Sequence, residues 1–338
     1  MKAVAYTQCR PSSDPEALLD LELPDPPAPK GRDLLVEVRA VSVNPLDAKQ
    51  RGRADPKGEP KILGFDAAGV VRAVGPEARM FSPGNEVFYA GAVNRPGSNA
   101  RLQLVDERIV GLRPARLDFA ESAALPLTSI TAWEALFDRL RIPHGASGGA
   151  LLVVGGAGGV GSMAIQLARA LTGLTVIATA SRPETREWCE GLGAHHVVDH
   201  AGDLAAQVKA LGVPVPFIFC TTQTERHWRA ICDIVAPQGL VCAIDEPMTL
   251  EVGRLKPKAA GLVWEAMFAR ILFRTADIEA QHQLLKEVSR LADAGTIRST
   301  LTRRLGPISA AALLEGHRLV EEGRMIGKAV AEGWGDPN

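Results

Sequence analysis

Residues 150–171 read ALLVVGGAGGVGSMAIQLARAL: an apolar run, then Gly156-x-Gly158-x-x-Gly161, then a helical pattern. A strand that turns through glycines into a helix is built to bind a pyrophosphate. The first glycine permits the tight turn, the second lets backbone approach the phosphates, and the third allows close helix–sheet packing. The helix start adds free N–H groups and the positive end of its dipole. Gly159 and Val160 complete this turn as candidate cofactor contacts. The next apolar run, TVIATA, is followed by Ser181 and Arg182. An NAD site usually places an acid there, about 20 residues on, to hold the ribose 2′-hydroxyl. Here an arginine offers a charge-assisted fork and a serine a hydroxyl, which suit a 2′-phosphate. The expected cofactor is therefore NADPH, with a solvated arginine at a helix start as the alternative.

The elements around this turn must form a sheet. From residue 150, short apolar runs alternate with amphipathic segments, ending at PFIFCTT and GLVCAID. That alternation implies a parallel sheet covered by helices on both faces, an α/β fold of the doubly wound Rossmann type. Thr221, Thr222, Ile244 and Asp245 then end the fourth and fifth strands, at the carboxyl edge where dinucleotides lie. The first 125 residues are different. LLVEVRAVSV (34–43), AGVVRAVG (68–75) and NEVFYAGAV (85–93) alternate and are rich in valine, with Gly or Pro between them. They predict a barrel of short strands. Residues 118–140 have helical periodicity broken at Pro126, 276–294 form a further helix, and the last strands and helix are expected to return to the first domain.

The bulk numbers limit the alternatives. A chain of 338 residues exceeds what one core usually supports, so two domains are expected. Net charge is −1 and no stretch is strongly basic, which argues against nucleic acid as a partner. Five cysteines without a CxxC pair argue against a disulfide framework and a four-cysteine zinc site, and fit a reducing, cytoplasmic setting. The start MKAVAYTQCR lacks a signal peptide's apolar region, and no segment reads as a membrane span.

The order of parts resembles the medium-chain dehydrogenase/reductase superfamily. VSVNPLDAKQRG, LGFDAAGVVRAVG, LPLTSITAWEAL and GGAGGVGSMAIQLA look like its zinc-free quinone oxidoreductase, or zeta-crystallin-like, branch. FYAGAVNRPGSNA, TASRPETREW, FIFCTTQTERHW and LVWEAMFARILF look closer still to a bacterial subgroup whose members often carry a zinc-binding alcohol dehydrogenase label. The resemblance implies a GroES-like β-rich catalytic domain over 1–125, completed by 271–338, and a Rossmann NADPH-binding domain over 126–270.

Zinc members of that family use a cysteine and a His-Glu pair where this chain has Asn44 and Phe65-Asp66. Phenylalanine offers no lone pair, and one carboxylate cannot build the N/S site zinc prefers. The resemblance thus implies no metal site and reduction of an already electrophilic acceptor: a quinone or an α,β-unsaturated carbonyl. Enoyl thioesters and alkenals are the close alternative. A non-catalytic NADPH-binding sensor or RNA-binding protein is the alternative of another class. Catalytic candidates are Asn44, Asp47 and Tyr89; Asn44 is also a turn former before proline, and a strand tyrosine is often satisfied locally. Asp66 is expected to be structural, held by an arginine or backbone N–H groups. The resemblance further implies that Lys49 stands where a family tyrosine lies near the cofactor, that Thr128 and Thr131 match a nicotinamide contact, with helix capping as the alternative, and that His200 can reach the adenosine side rather than serve with His196 as a metal ligand. Trp264 and Phe268 fall in a segment like a cleft-lining loop, as substrate stackers or core. The relatives are commonly homodimers.

Overall fold

The computed structural model describes residues 1–335. The chain forms two units: Met1–Leu127 with the chain from Phe268 onward, and Thr128–Met267. The first segment holds β1 (Lys2–Tyr6), β2 (Leu19–Glu22), β3 (Asp33–Ser42), α1 (Pro45–Arg53), β4 (Lys61–Ile62) and β5 (Ala67–Val74). Then come β6 (Glu86–Tyr89), β7 (Leu102–Asp106), β8 (Val110–Leu112) and α2 (Phe119–Ala123). Helix α3 (Pro126–Trp133) carries the chain into the second unit and continues as a π-turn over Glu134–Arg139. The second unit alternates: β9 (Ser147–Val154), α4 (Gly159–Leu171), β10 (Gly173–Thr179), α5 (Pro183–Gly191), β11 (His196–Val198), α6 (Leu204–Ala210), β12 (Val215–Cys220), α7 (Thr224–Ile234), β13 (Val235–Ala243) and β14 (Gly261–Trp264). The return to the first unit supplies α8 (Ala269–Phe273), α9 (Ala280–Asp293), β15 (Leu301–Arg304), α10 (Ala310–Glu321) and β16 (Lys328–Glu332).

In the second unit, six strands run parallel in the order β11-β10-β9-β12-β13-β14. Counted from β9 this is 3-2-1-4-5-6, the doubly wound order, with its switch point between β9 and β12. The central strands are buried on both faces, as the unbroken apolar runs require: Ala150, Leu152, Val154, Ile218 and Cys220 share one core. The apolar runs of the sequence predict this sheet only as far as GLVCAID. The structure adds β14, drawn from the segment expected to be a loop. Four residues carry no period to count, and the strand is held by its pairing, Leu240↔Gly261 to Ala243↔Trp264.

The first unit is built on a largely antiparallel sheet, β15-β16-β3-β5-β6-β8, with β7 also on β3, and a small sheet β2-β1-β4. Its core joins Val36, Val38, Val41, Val71, Val87 and Tyr89. The strand expected over 85–93 stops at Tyr89, and Gly91 turns the chain with φ +71°. Pairing fixes the polar positions at the end of β3. Val41 pairs Ala67 and Val330 pairs Ser42, so the same registers, continued, set Ser42 beside Asp66 and Asn44 beside Lys328. All five cysteines are free.

Candidate functional site

The glycine turn leaves β9 at its carboxyl end and enters α4 at Gly158, which caps the helix without a side chain. Thr179, the last residue of β10, accepts from the Gly155 N–H at 3.0 Å, and Thr221 donates its hydroxyl to the Val154 carbonyl at 2.8 Å. The two hydroxyls fix the turn across the switch point. The glycines serve different ends. A Cβ on Gly161 would collide with the Gly155 carbonyl, and one on Gly156 would lie 2.8 Å from the Ala178 Cβ. Both are packing glycines. Gly158 has φ −70°, open to any residue, and a Cβ there would meet nothing nearer than the Gly155 carbonyl at 3.9 Å. Neither conformation nor protein packing requires glycine at that point. The space lies over uncapped helix N–H groups, where a diphosphate binds. Gly158, Gly159 and Val160 are half-buried around it. The residues present fit a dinucleotide.

Beyond β10, Ser181 is exposed and Arg182 is half-buried, with Glu184 3.3 Å from its guanidinium. An exposed pair of this kind is worth about 0–1 kcal/mol. No carboxylate stands at the strand end: Ala180 follows Thr179. His200 lies just after β11 with its ring 5.8 Å from that of His227 on α7. Burial lowers both imidazoles, which favours their neutral forms. Thr222 is exposed after β12 and Ile244 half-buried after β13. Asp245, expected to contact cofactor, caps α7: it accepts the Thr224 N–H at 2.8 Å and the Thr224 hydroxyl.

The first unit contains a buried polar net. Asp66 is fully buried and accepts from the Ser42 hydroxyl at 2.7 Å, the Asn44 amide at 2.8 Å, the Leu127 N–H at 2.7 Å and the Lys328 ammonium at 3.2 Å. Lys328 also donates to the Val43 carbonyl at 2.8 Å and to Asn44 Oδ1. Of the expected partners a backbone N–H is present, that of Leu127, and the cation is Lys328 rather than an arginine. Burial pushes the carboxyl up and the ammonium down, and each charge opposes the shift of the other. The catalytic candidate Asn44 lies within this net. Its Nδ2 donates to Asp66 and to the Ser42 carbonyl at 3.4 Å, and its Oδ1 accepts from Lys328, so the net engages the whole amide. Asn44 begins α1, and Asp47 accepts its N–H at 2.8 Å and that of Gly64 at 3.0 Å. Burial raises Asp47 to about 7. Gly64 bends the chain toward Asp47 with φ +110°.

Tyr89 lies in the core of the first unit, where burial raises its hydroxyl; that hydroxyl has no hydrogen-bond partner among the described residues, so it is not satisfied locally as a strand tyrosine often is. Lys49 is exposed on α1. Thr128 and Thr131 are buried on α3. Trp264 is 50% exposed on β14, the sheet's outer strand. Phe268 sets its ring edge-on to Phe65 at 5.6 Å, which gives it a packing partner. The sequence reading missed Lys328, Ser42, Thr179 and the role of Thr221. Only Lys328 carried a signal: a lone charge opening the apolar run KAVA.

Comparison with known proteins places this architecture. The alcohol dehydrogenase GroES-like domain model matches residues 30–123, and the zinc-binding dehydrogenase model matches 159–259. A zinc-type alcohol dehydrogenase-like protein of Staphylococcus aureus (strain MSSA476) is 43% identical over 311 residues, covering 90% of this chain and 92% of the relative. The chain belongs to the medium-chain dehydrogenase/reductase superfamily. It is an oxidoreductase of that family. A zinc-dependent alcohol dehydrogenase candidate from Rhizobium etli CFN 42 superposes with TM-score 0.96 at 56% identity, covering 99% of each chain. The quinone oxidoreductase of Coxiella burnetii does so with TM-score 0.79 at 25% identity, over 98% of this chain and 99% of that one. A 2-methylene-furan-3-one reductase of Solanum lycopersicum is 28% identical over 98% of this chain and 78% of its own length.

The family name implies zinc. The donor set at the corresponding positions does not fit it. Phe65 offers a hydrocarbon ring, Asn44 has its amide engaged, and Asp66 already faces an ammonium. Zinc prefers four N, S or O donors in a tetrahedron. Among the described residues no three His, Cys, Asp or Glu side chains are grouped to supply them. Nor is any helix among them long and apolar enough to cross a membrane.

Proposed function

We propose that this protein is a zinc-independent, NADPH-dependent reductase of quinones or α,β-unsaturated carbonyls. The observation that carries the reading is the open space at Gly158, above uncapped helix N–H groups and one strand away from Ser181 and Arg182 rather than an acid. Bound NADPH would supply hydride from C4 of its nicotinamide; a proton from solvent or a side chain completes the reduction. The polypeptide's part is to hold the diphosphate on α4, to pair the 2′-phosphate with Arg182, and to exclude water from the reacting atoms. An electrophilic acceptor needs no Lewis acid, in keeping with a ligand position filled by Phe65 and an internal cation at Lys328. The names of the Coxiella and tomato relatives point to the same acceptor chemistry. The exposed edge at β14, with Trp264 beside it, supports a homodimer built through the cofactor unit.

The test is NADPH oxidation with a panel of quinones, enones, enoyl thioesters and simple aldehydes, on protein assayed for metal. Turnover of quinones or enones without bound zinc is expected. Tight NADPH binding with no turnover of any acceptor would leave a sensor and overturn the reading, as would one tightly held zinc per chain whose removal abolishes activity. Sedimentation giving a monomer at working concentration would remove the dimer.

A further inference from the structure

The second unit buries two carboxyls beside one guanidinium. Glu134 begins the π-turn and Glu265 directly follows β14, where its N–H donates to the Ala243 carbonyl at 3.0 Å. Both side chains are wholly buried, whereas Arg139 keeps 31% of its surface exposed. Arg139 Nε donates to Glu265 at 2.9 Å, and its Nη2 lies 3.5 Å from Glu134. The two buried carboxyls thus have one guanidinium between them, and among the described residues no donor reaches Glu265 Oε1. Charge balance calls for one proton: one carboxylate, one carboxylic acid and one guanidinium sum to zero, whereas two carboxylates leave a buried net charge.

We propose that Glu134 and Glu265 share one proton at neutral pH and, with Arg139, form a proton-dependent clasp tying the π-turn to the end of β14. Facing Glu265 are Glu134 and Arg139 from the π-turn and Cys242 from β13, whose thiol burial pushes up and so keeps neutral. Burial first, and then the charge of Glu134, raise Glu265 to about 9, while Arg139 opposes the shift. A raised carboxyl binds its proton more tightly folded than unfolded. Its contribution is therefore fully present in acid, and is lost as pH climbs from the ordinary glutamate range to about 9. The clasp sits on an irregular segment, whose i→i−5 bonds, such as that from the Leu140 N–H to the Ala135 carbonyl at 2.9 Å, stand in place of the i→i−4 ladder.

The experiment compares denaturant unfolding of the full chain and its Glu265→Gln variant at pH 7 and pH 9. One proton per molecule corresponds to about a tenfold rise in the unfolding constant per pH unit. Over this interval the wild type should lose stability relative to the variant by a factor of about fifty, the slope halving as pH reaches about 9, since glutamine keeps the hydrogen bond from Arg139 and cannot ionise. Equal pH slopes would overturn the clasp. Should the variant not fold, infrared spectra of the wild type in heavy water decide: a protonated-carboxyl carbonyl band that persists at pH 8 and fades by pH 10 is expected, and its absence at pH 8 overturns the proposal.

Discussion

The net around Asp66 and the turn around Gly158 are both rich in polar groups and close to glycines, yet they are organised in opposite ways. At Asp66 the described side chains satisfy one another. Hydroxyl, amide, backbone N–H and ammonium converge on one carboxylate, and little hydrogen-bonding capacity is left over. At Gly158 the protein stops short: helix N–H groups lack a capping side chain and a Cβ's space is left open. The difference separates structure from binding. A polar cluster that closes on itself stabilises its own unit, whereas one left incomplete by an otherwise well-packed fold is shaped for a ligand. By this criterion Asn44 and Asp66 fit a scaffold, and the glycine turn fits the ligand site proposed above.

Four substitutions probe that contrast. Lys328→Met should cost most, about 3–5 kcal/mol, because it strands a buried carboxylate. Urea unfolding measures it, and a loss below 1 kcal/mol would mean that the net is not closed. Gly161→Ala should destabilise by roughly 1–3 kcal/mol through its collision with the Gly155 carbonyl, seen as a lower unfolding midpoint. Gly158→Ala, only three residues away, should leave that midpoint unchanged while weakening NADPH about tenfold by fluorescence titration, or ~1.4 kcal/mol. If the two alanines behave alike, the distinction between packing glycine and ligand glycine fails. Arg182→Ala should weaken NADPH by about fivefold and NADH hardly at all, the ~1 kcal/mol of a half-exposed charged contact. Equal losses for both nucleotides would remove the assignment of Arg182 to the 2′-phosphate.

Much of this was legible in the chain itself. The apolar run, glycine spacing and amphipathic segment announce β9, the turn and α4, because each depends on residues within a few positions of one another. The alternation of runs and helices announces the parallel sheet. The sixth strand escaped, since a four-residue edge strand is made by its neighbour's hydrogen bonds rather than by its own pattern. Asp245 was misread for a related reason: an acid at a strand's carboxyl end can face a ligand or cap the next helix, and only the position of Thr224 chose the cap.

What the sequence settled alone was side-chain chemistry and local period. Phe65 has no lone pair in any fold, Gly158 has no Cβ in any fold, and the βαβ rhythm needs no distant partner. What the tertiary structure decided was which charges meet. Lys328 is 262 residues from Asp66 and reaches it only because β16 and β5 both pair with β3 in one register. Glu134 and Glu265 meet because the π-turn and the end of β14 are brought together in the fold. Buried charges obey strand register and layer packing, which are long-range properties, and no short window of residues contains them.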